Sequence, residues 1–184
     1  MIKISKGLDL PISGSPINTI SDEPKVSSVA LLSNDFIGMK PTMLVKEGET
    51  VKAGQKVFED KKNHGVYFTS PAGGIVKDIN RGDKRRFLSI EIEIKDTEEY
   101  VNFDMDDSVD QIKECLIDSG LWNAFRTRPF NRTPGINEIP DAVFINCCDS
   151  NPLSIDPYEI ILLNKTEFDV GLNVLTDFFR CNIN

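Results

Sequence analysis

A single histidine, His64, occurs in 184 residues, and no cysteine or second histidine lies near it in the chain. It therefore reads as a loop histidine rather than a metal ligand or catalytic base. The four cysteines, Cys115, Cys147, Cys148 and Cys181, form no CxxC spacing, which removes the usual zinc, iron–sulfur and dithiol frameworks. They are expected to be buried structural thiols of a reducing compartment. Also missing are a GxGxxG turn, a P-loop, a GxSxG elbow and an HExxH helix, so nothing local supplies a nucleotide site or a nucleophile. The chain is expected to have no catalytic machinery of its own.

No run approaches the roughly 20 apolar residues of a membrane span, and Met1–Pro16 lacks the charged start and apolar stretch of a signal peptide. A cytoplasmic chain without a direct span is the expectation. Net charge is -8, and it is unevenly placed. Residues 1–100 carry 15 basic and 15 acidic side chains, and residues 101–184 carry 6 and 14. Such an acidic second part argues against nucleic acid as a partner. At 184 residues the chain is long enough for one ordinary domain or two small ones, with a core that needs no disulfide.

Two stretches repeat a pattern. Val45-Lys46-Glu47-Gly48-Glu49-Thr50-Val51 and Ile79-Asn80-Arg81-Gly82-Asp83-Lys84-Arg85 each run from an apolar residue into a glycine followed by an acid, as in the paired hairpins of biotin- and lipoate-carrier domains. Strands are predicted at Val29–Leu32, the first to read as buried, and at Met43–Val45, Val57–Glu59, Val66–Thr69, Gly74–Ile79 and Phe87–Ile94. In the last, Leu88, Ile90, Ile92 and Ile94 are expected to face the core. The turn-rich first forty residues are expected to wrap this sandwich. The acidic linker Lys95–Asp107 marks a boundary, after which Ser108 and Gln111 have capping-box spacing and Gly120 closes a helix. Asp141–Cys147 reads as a buried strand covered by helices on both faces, and Phe168, Leu172, Leu175 and Phe179 trace a further helix. The fold expected is α+β overall, an all-β barrel-sandwich hybrid over residues 1–100 and then a partial α/β domain over 101–184.

Three clusters offer chemistry. Lys61 and Lys62 lie where a carrier would present its lysine, but in a long loop rather than at a defined tip. Arg81, Lys84, Arg85 and Arg86 form a cationic turn, readable as a solvated turn or as a docking or anion site. Arg126, Arg128 and Arg132 gather around Trp122, Phe125, Pro129 and Phe130, a mixture found in interface anchors and ligand clamps and also in ordinary packing.

Gly7-Leu8-Asp9-Leu10-Pro11-Ile12-Ser13-Gly14, Gly38-Met39-Lys40-Pro41, Phe58-Glu59-Asp60-Lys61-Lys62, Ser70-Pro71-Ala72-Gly73-Gly74, Arg126-Thr127-Arg128-Pro129-Phe130 and Asp149-Ser150-Asn151-Pro152-Leu153 together resemble the A-type subunits of the Na+-translocating NADH:quinone reductase. The motifs run in the family's order from Gly7 to about Leu175. The resemblance implies a peripheral protein on the cytoplasmic side of the bacterial inner membrane, held by the other members of a six-subunit complex that oxidises NADH, reduces quinone and exports Na+. It implies an α/β region related to the flavin-binding subunit of complex I but without flavin. NADH, flavins and iron–sulfur centres would belong to partner subunits, with ubiquinone or menaquinone as this chain's candidate ligand. Trp122, Arg126, Arg128 and Phe130 would be quinone-proximal or interface residues, and Arg81, Lys84, Arg85 and Arg86 would dock a neighbour. The second domain is expected to be truncated relative to the family's usual length. Alternatives are the C-type subunit of an Rnf-type electron-transport complex and a biotin or lipoate carrier.

Overall fold

The computed structural model describes residues 12–17, 20, 25–95, 99–103, 108–149 and 151–184. The stretch Gly7–Pro11, with residues 1–6, 18–19 and 21–24 of the expected N-terminal wrap, lies outside the described residues, as do 96–98 and 104–107 of the acidic linker. Two compact units divide the chain, one formed by 25–139 and one that includes 140–184.

Seven strands build the first unit: β1 Ser28–Leu32, β2 Pro41–Met43, β3 Thr50–Val51, β4 Lys56–Asp60, β5 Tyr67–Thr69, β6 Gly74–Arg81 and β7 Phe87–Ile94. They form two sheets, β1-β7-β6-β3 and β2-β4-β5, with antiparallel pairing throughout. Val51, Val57, Phe58, Phe68, Val76, Ile90 and Ile92 are buried. Phe58 stacks on Phe68 at 4.6 Å, while Phe87 meets Phe58 edge-on at 5.3 Å and Phe36 meets Phe68 edge-on at 4.6 Å. Four rings in series thus form an aromatic core of the kind that contributes beyond buried area alone.

The two halves interlock at the repeated turns. Gly48, at φ +83, donates its amide to the Val76 carbonyl at 2.7 Å, the Val76 amide returns to the Glu49 carbonyl at 2.9 Å, and the Glu47 carboxylate accepts the Ile79 amide at 3.0 Å. The repeat is not conformationally symmetric. Gly82 has φ -93, and Lys84 and Arg85 take the left-handed positions instead, at φ +54 and +59. Glycine freedom is therefore used in the first copy and not in the second.

Two expectations about strands need correction. β1 is a half-buried edge strand paired only through β7 on its described side. In β7 the buried residues are Phe87, Ile90 and Ile92, while Leu88 is exposed. A register irregularity between Asn80 and Arg81 in the β6–β7 pairing shifts the end of the strand by one side, so Phe87 turns inward and Leu88 covers Gly82.

After the strands, residues 99–103 remain tied to the barrel. Ala53 donates to the Glu99 carbonyl, Val101 donates back to Ala53, both at 2.8 Å, and Phe103 covers Gly54. Helix α1, Val109–Asp118, starts as expected: Ser108 Oγ accepts the Gln111 amide at 3.3 Å. It ends at Gly120, φ +79, where a Cβ would lie 2.6 Å from Thr69 Oγ1. Position and conformation both call for glycine.

The second unit contains β8 Ala142–Val143, α2 Pro157–Leu163, α3 Lys165–Phe179 and β9 Asn182–Ile183, with β8 and β9 parallel. Helix α2 is capped by Asp156, whose side chain accepts the Tyr158 amide at 3.0 Å, with Pro157 in the first turn. Helix α3 places Phe168, Leu172, Leu175 and Phe179 on its half-buried side. The predicted strand Asp141–Cys147 is reduced to two residues, and Phe144 is 75% exposed, so its continuous apolar run is not sandwiched as expected. Cys147 and Cys148 are exposed and Cys115 and Cys181 half-buried, which overturns the buried-thiol reading.

Candidate functional site

The arginine–aromatic segment separates into an anchor and a tip. Trp122, 2% exposed, donates its indole N–H to the Pro134 carbonyl at 3.0 Å and meets Phe125 edge-on at 5.5 Å. Next to it, Asn123 Nδ2 donates to the Tyr67 carbonyl at 2.6 Å. Arg126 turns inward. Its guanidinium donates to the Asn123 carbonyl, to the Phe125 carbonyl at 3.0 Å and to Thr133 Oγ1 at 3.4 Å, and it lies 5.4 Å from the centre of the Phe36 ring. Burial lowers its pKa below that of a free guanidinium, and Asp35 opposes the shift. These contacts fasten the segment to the barrel.

Beyond the anchor, Thr127 and Arg132 close a tight turn. The Thr127 amide and hydroxyl donate to the Arg132 carbonyl at 2.8 and 3.1 Å, and the Asn131 amide donates to the Thr127 carbonyl at 2.8 Å. Arg128, Pro129 and Phe130 ride on this turn, joined by a cis Arg128–Pro129 peptide. Phe130 is 69% exposed, and the Arg132 guanidinium sits 5.9 Å from its ring centre. A large exposed ring beside a guanidinium suits a partner surface or a flat ligand.

The cationic turn lies elsewhere on the barrel. Arg81, Lys84, Arg85 and Arg86 line a groove of about 590 Å3 together with Lys40, Lys61 and Lys62. Asp60, 8% exposed, holds this arrangement from beneath: its Oδ1 accepts the Lys40 amide at 3.1 Å and the Lys62 amide at 3.0 Å. The Lys61 amide also donates to the Lys40 carbonyl at 2.7 Å. Glu59 closes the following turn by accepting the Gly65 amide at 2.8 Å, with His64 Nδ1 3.5 Å away. Sequence reasoning found the four residues of one turn and missed Lys40, because a hydrogen bond across twenty positions leaves no local signature.

In the second unit, Asp149 organises a loop whose Ser150 lies outside the described residues. The carboxylate accepts the Asn151 amide at 2.9 Å, the Asn151 side chain at 2.7 Å and the Ser154 hydroxyl at 2.9 Å. The Asn151 backbone bond, first, and then the Ser154 bond hold its pKa below the ordinary 3.8, against a smaller effect of burial. A depressed carboxylate stabilises the loop above the ordinary pKa and loses that contribution as pH falls through the lowered one. Titration followed by NMR should show the Asn151 amide moving at a midpoint below pH 3.8. Ser154→Ala should raise that midpoint, and an unchanged value would contradict the assignment.

Among the described residues no group of three His, Cys, Asp or Glu could hold a metal, and no helix is long and apolar enough to cross a membrane.

Two facing sheets with interlocked hairpins, followed by a parallel α/β element, define a barrel-sandwich hybrid joined to an α/β domain. The family described as the NqrA N-terminal barrel-sandwich hybrid domain matches residues 2–95, and that described as the NqrA second alpha/beta domain matches residues 107–184. The chain belongs to this NqrA family. It is similar to proteins named as the A-type subunit of Na(+)-translocating NADH-quinone reductase: 49% identical over 96% of its length to that of Klebsiella pneumoniae (strain 342). Identity is 53% over 96% for that of Photorhabdus laumondii subsp. laumondii and 46% over 98% for that of Actinobacillus pleuropneumoniae serotype 5b. The chain spans 41% of the length of these relatives.

Proposed function

We propose that this chain forms the barrel and second-domain part of the A-type subunit of a Na+-translocating NADH:quinone reductase. The observation that carries this reading is identity of 46–53% to proteins of that name across nearly the whole chain. The same observation favours it over the C-type subunit of an Rnf complex or a biotin or lipoate carrier. Its place is peripheral, on the cytoplasmic side of the inner membrane, held by the other five subunits of the complex. Those subunits carry NADH, flavins, iron–sulfur centres and Na+ export. The domain division is 1–100 and 101–184, with residues 101–103 and 108–139 packed back on the barrel.

Within this reading Trp122 and Arg126 are positioning residues, and Arg128 and Phe130 are the surface that meets a partner or lies beside the quinone. A projecting turn offers a contact more readily than an enclosed site, so partner contact is the favoured use. Arg81, Lys84, Arg85 and Arg86 dock an anionic surface. The test is Arg128→Ala with Phe130→Ala in the assembled reductase. Loss of an exposed aromatic–arginine anchor should weaken assembly or quinone reductase turnover by about tenfold or more. Unchanged copurification, turnover and inhibitor sensitivity would sink the assignment.

A further inference from the structure

On the barrel, three lysines outside the groove are neutralised in pairs, Lys52 with Glu99 at 3.0 Å, Lys56 with Asp118 at 2.6 Å and Lys77 with Glu91 at 2.8 Å, while Lys25, Lys46 and Lys95, far apart in the chain, make no ion pair among the described residues. The seven groove cations are set apart by their clustering around one concavity. Lys40, Lys61, Lys62, Arg81, Lys84, Arg85 and Arg86 make no ion pair with any described residue, and no carboxylate among the described residues lines the groove. Asp60 lies beneath it, but its Oδ1 is taken up by two backbone amides. Arg81 spends one guanidinium N–H on the Arg85 carbonyl at 3.4 Å, which draws two cations together rather than relieving them. In a protein with net charge -8, seven like charges around one concavity repel one another, and an anion bound there removes that cost.

The groove is also two-faced. Phe36, Met39, Pro41 and Phe87 supply its apolar part, with cations around them. Its volume of about 590 Å3 is that of a site for one small molecule or one lipid head group with the start of its body. Three of the cations are arginines, whose planar forks match the oxygens of phosphate. We infer that this groove binds a phosphate ester with an apolar body, the phosphate among Arg81, Arg85, Arg86 and Lys61 and the body against Phe36, Met39 and Phe87. The source is an anionic phospholipid or a soluble phosphate ester, which share this chemistry. The inference deepens the docking role given above to the Arg81–Arg86 turn and rests on that reading.

Both sources can be tested on the whole chain. One arm is sedimentation with phosphatidylcholine vesicles, with and without phosphatidylglycerol; the other is calorimetry with 1-naphthyl phosphate, with 1-naphthoate as the carboxylate control. Arg85→Ala/Arg86→Ala, at two exposed positions, should weaken binding by about tenfold or more. Lys25→Ala/Lys46→Ala removes the same charge from exposed positions outside the groove and should change it by about twofold or less. Binding confined to phosphatidylglycerol vesicles assigns the lipid, and binding of naphthyl phosphate over naphthoate assigns a soluble ester. Failure of both probes overturns the inference, as does equal loss in the Lys25/Lys46 control or equal binding of naphthoate. Polyglutamate binding that excludes both phosphate probes overturns it in favour of an acidic peptide. Copurification of the Arg85/Arg86 variant with partner subunits is scored separately, so the docking role and the phosphate site fail independently.

Discussion

Gly74→Ala should destabilise the barrel by about 3–5 kcal/mol, at the upper end of what single substitutions do. Gly74 pairs with Val51 of β3 on one side and with Ile94 of β7 on the other. A Cβ at this position would lie 2.0 Å from the Glu93 carbonyl oxygen, 2.9 Å from its carbon and 3.1 Å from Ile92 Cγ2. The obstruction is backbone, not the end of a movable side chain, so relief requires β6 and β7 to separate where Gly74 faces Ile94. Ile92 is fully buried, and its displacement would loosen the core as well. The glycine in Ser70-Pro71-Ala72-Gly73-Gly74 is thus explained by close backbone approach rather than by a left-handed turn. Urea unfolding checks this through a lowered midpoint. Gly171→Ala is the matched control: a helical glycine with nothing within 4 Å of a new Cβ, it should gain up to about 1 kcal/mol. A Gly74 variant within about 1 kcal/mol of the parent would mean that the strands part without cost.

Trp122→Ala should be the second large loss, about 3–5 kcal/mol from the cavity and the lost transfer of a buried indole. It would also remove one donor from the Pro134 carbonyl, which the Asn63 side chain engages at 3.0 Å as well. Arg128→Ala and Phe130→Ala, in the same segment with Phe130 exposed, should each change stability by about 0.5 kcal/mol or less. Paired unfolding curves make the comparison. Equal losses at Trp122 and Phe130 would erase the distinction between anchor and tip, on which the functional test of Arg128 and Phe130 depends.

That distinction is not legible in the sequence. Three arginines and two prolines make a poor apolar core by composition, which makes the whole segment look like a surface. What composition omits is that Arg126 and Trp122 satisfy their polar groups on nearby carbonyls, of Asn123, Phe125 and Pro134, and can then be buried at little cost. Local signals do better. The Ser108 cap, the glycine stop at Gly120 and the alternation through Ile90 and Ile92 all depend on neighbours within a few positions. The Phe87–Leu88 exchange depends on a pairing irregularity in the partner strand, which β7 alone cannot encode. The Asp156-Pro157 start of α2 is a case where a readable cap signal stands in the sequence, an acid followed by proline at the first helical position. The exposed Cys147-Cys148 pair shows the opposite: an apolar run does not by itself bury the residues that end it.

Phe36 has a consequence for how the two surfaces of the barrel can be studied. Its ring lines the cationic groove, leans edge-on against Phe68 at 4.6 Å and lies 5.4 Å below the guanidinium of Arg126. Groove and anchored turn therefore share one wall. A ligand that presses on the ring from the groove also shifts the seat of Arg126, and a change at Arg126 alters the floor that the ligand meets. Any such coupling must be equal in both directions. Substitutions at the turn are then best read with the groove both empty and filled, and a double-mutant cycle between Arg126 and Arg85 would measure what passes through that single ring.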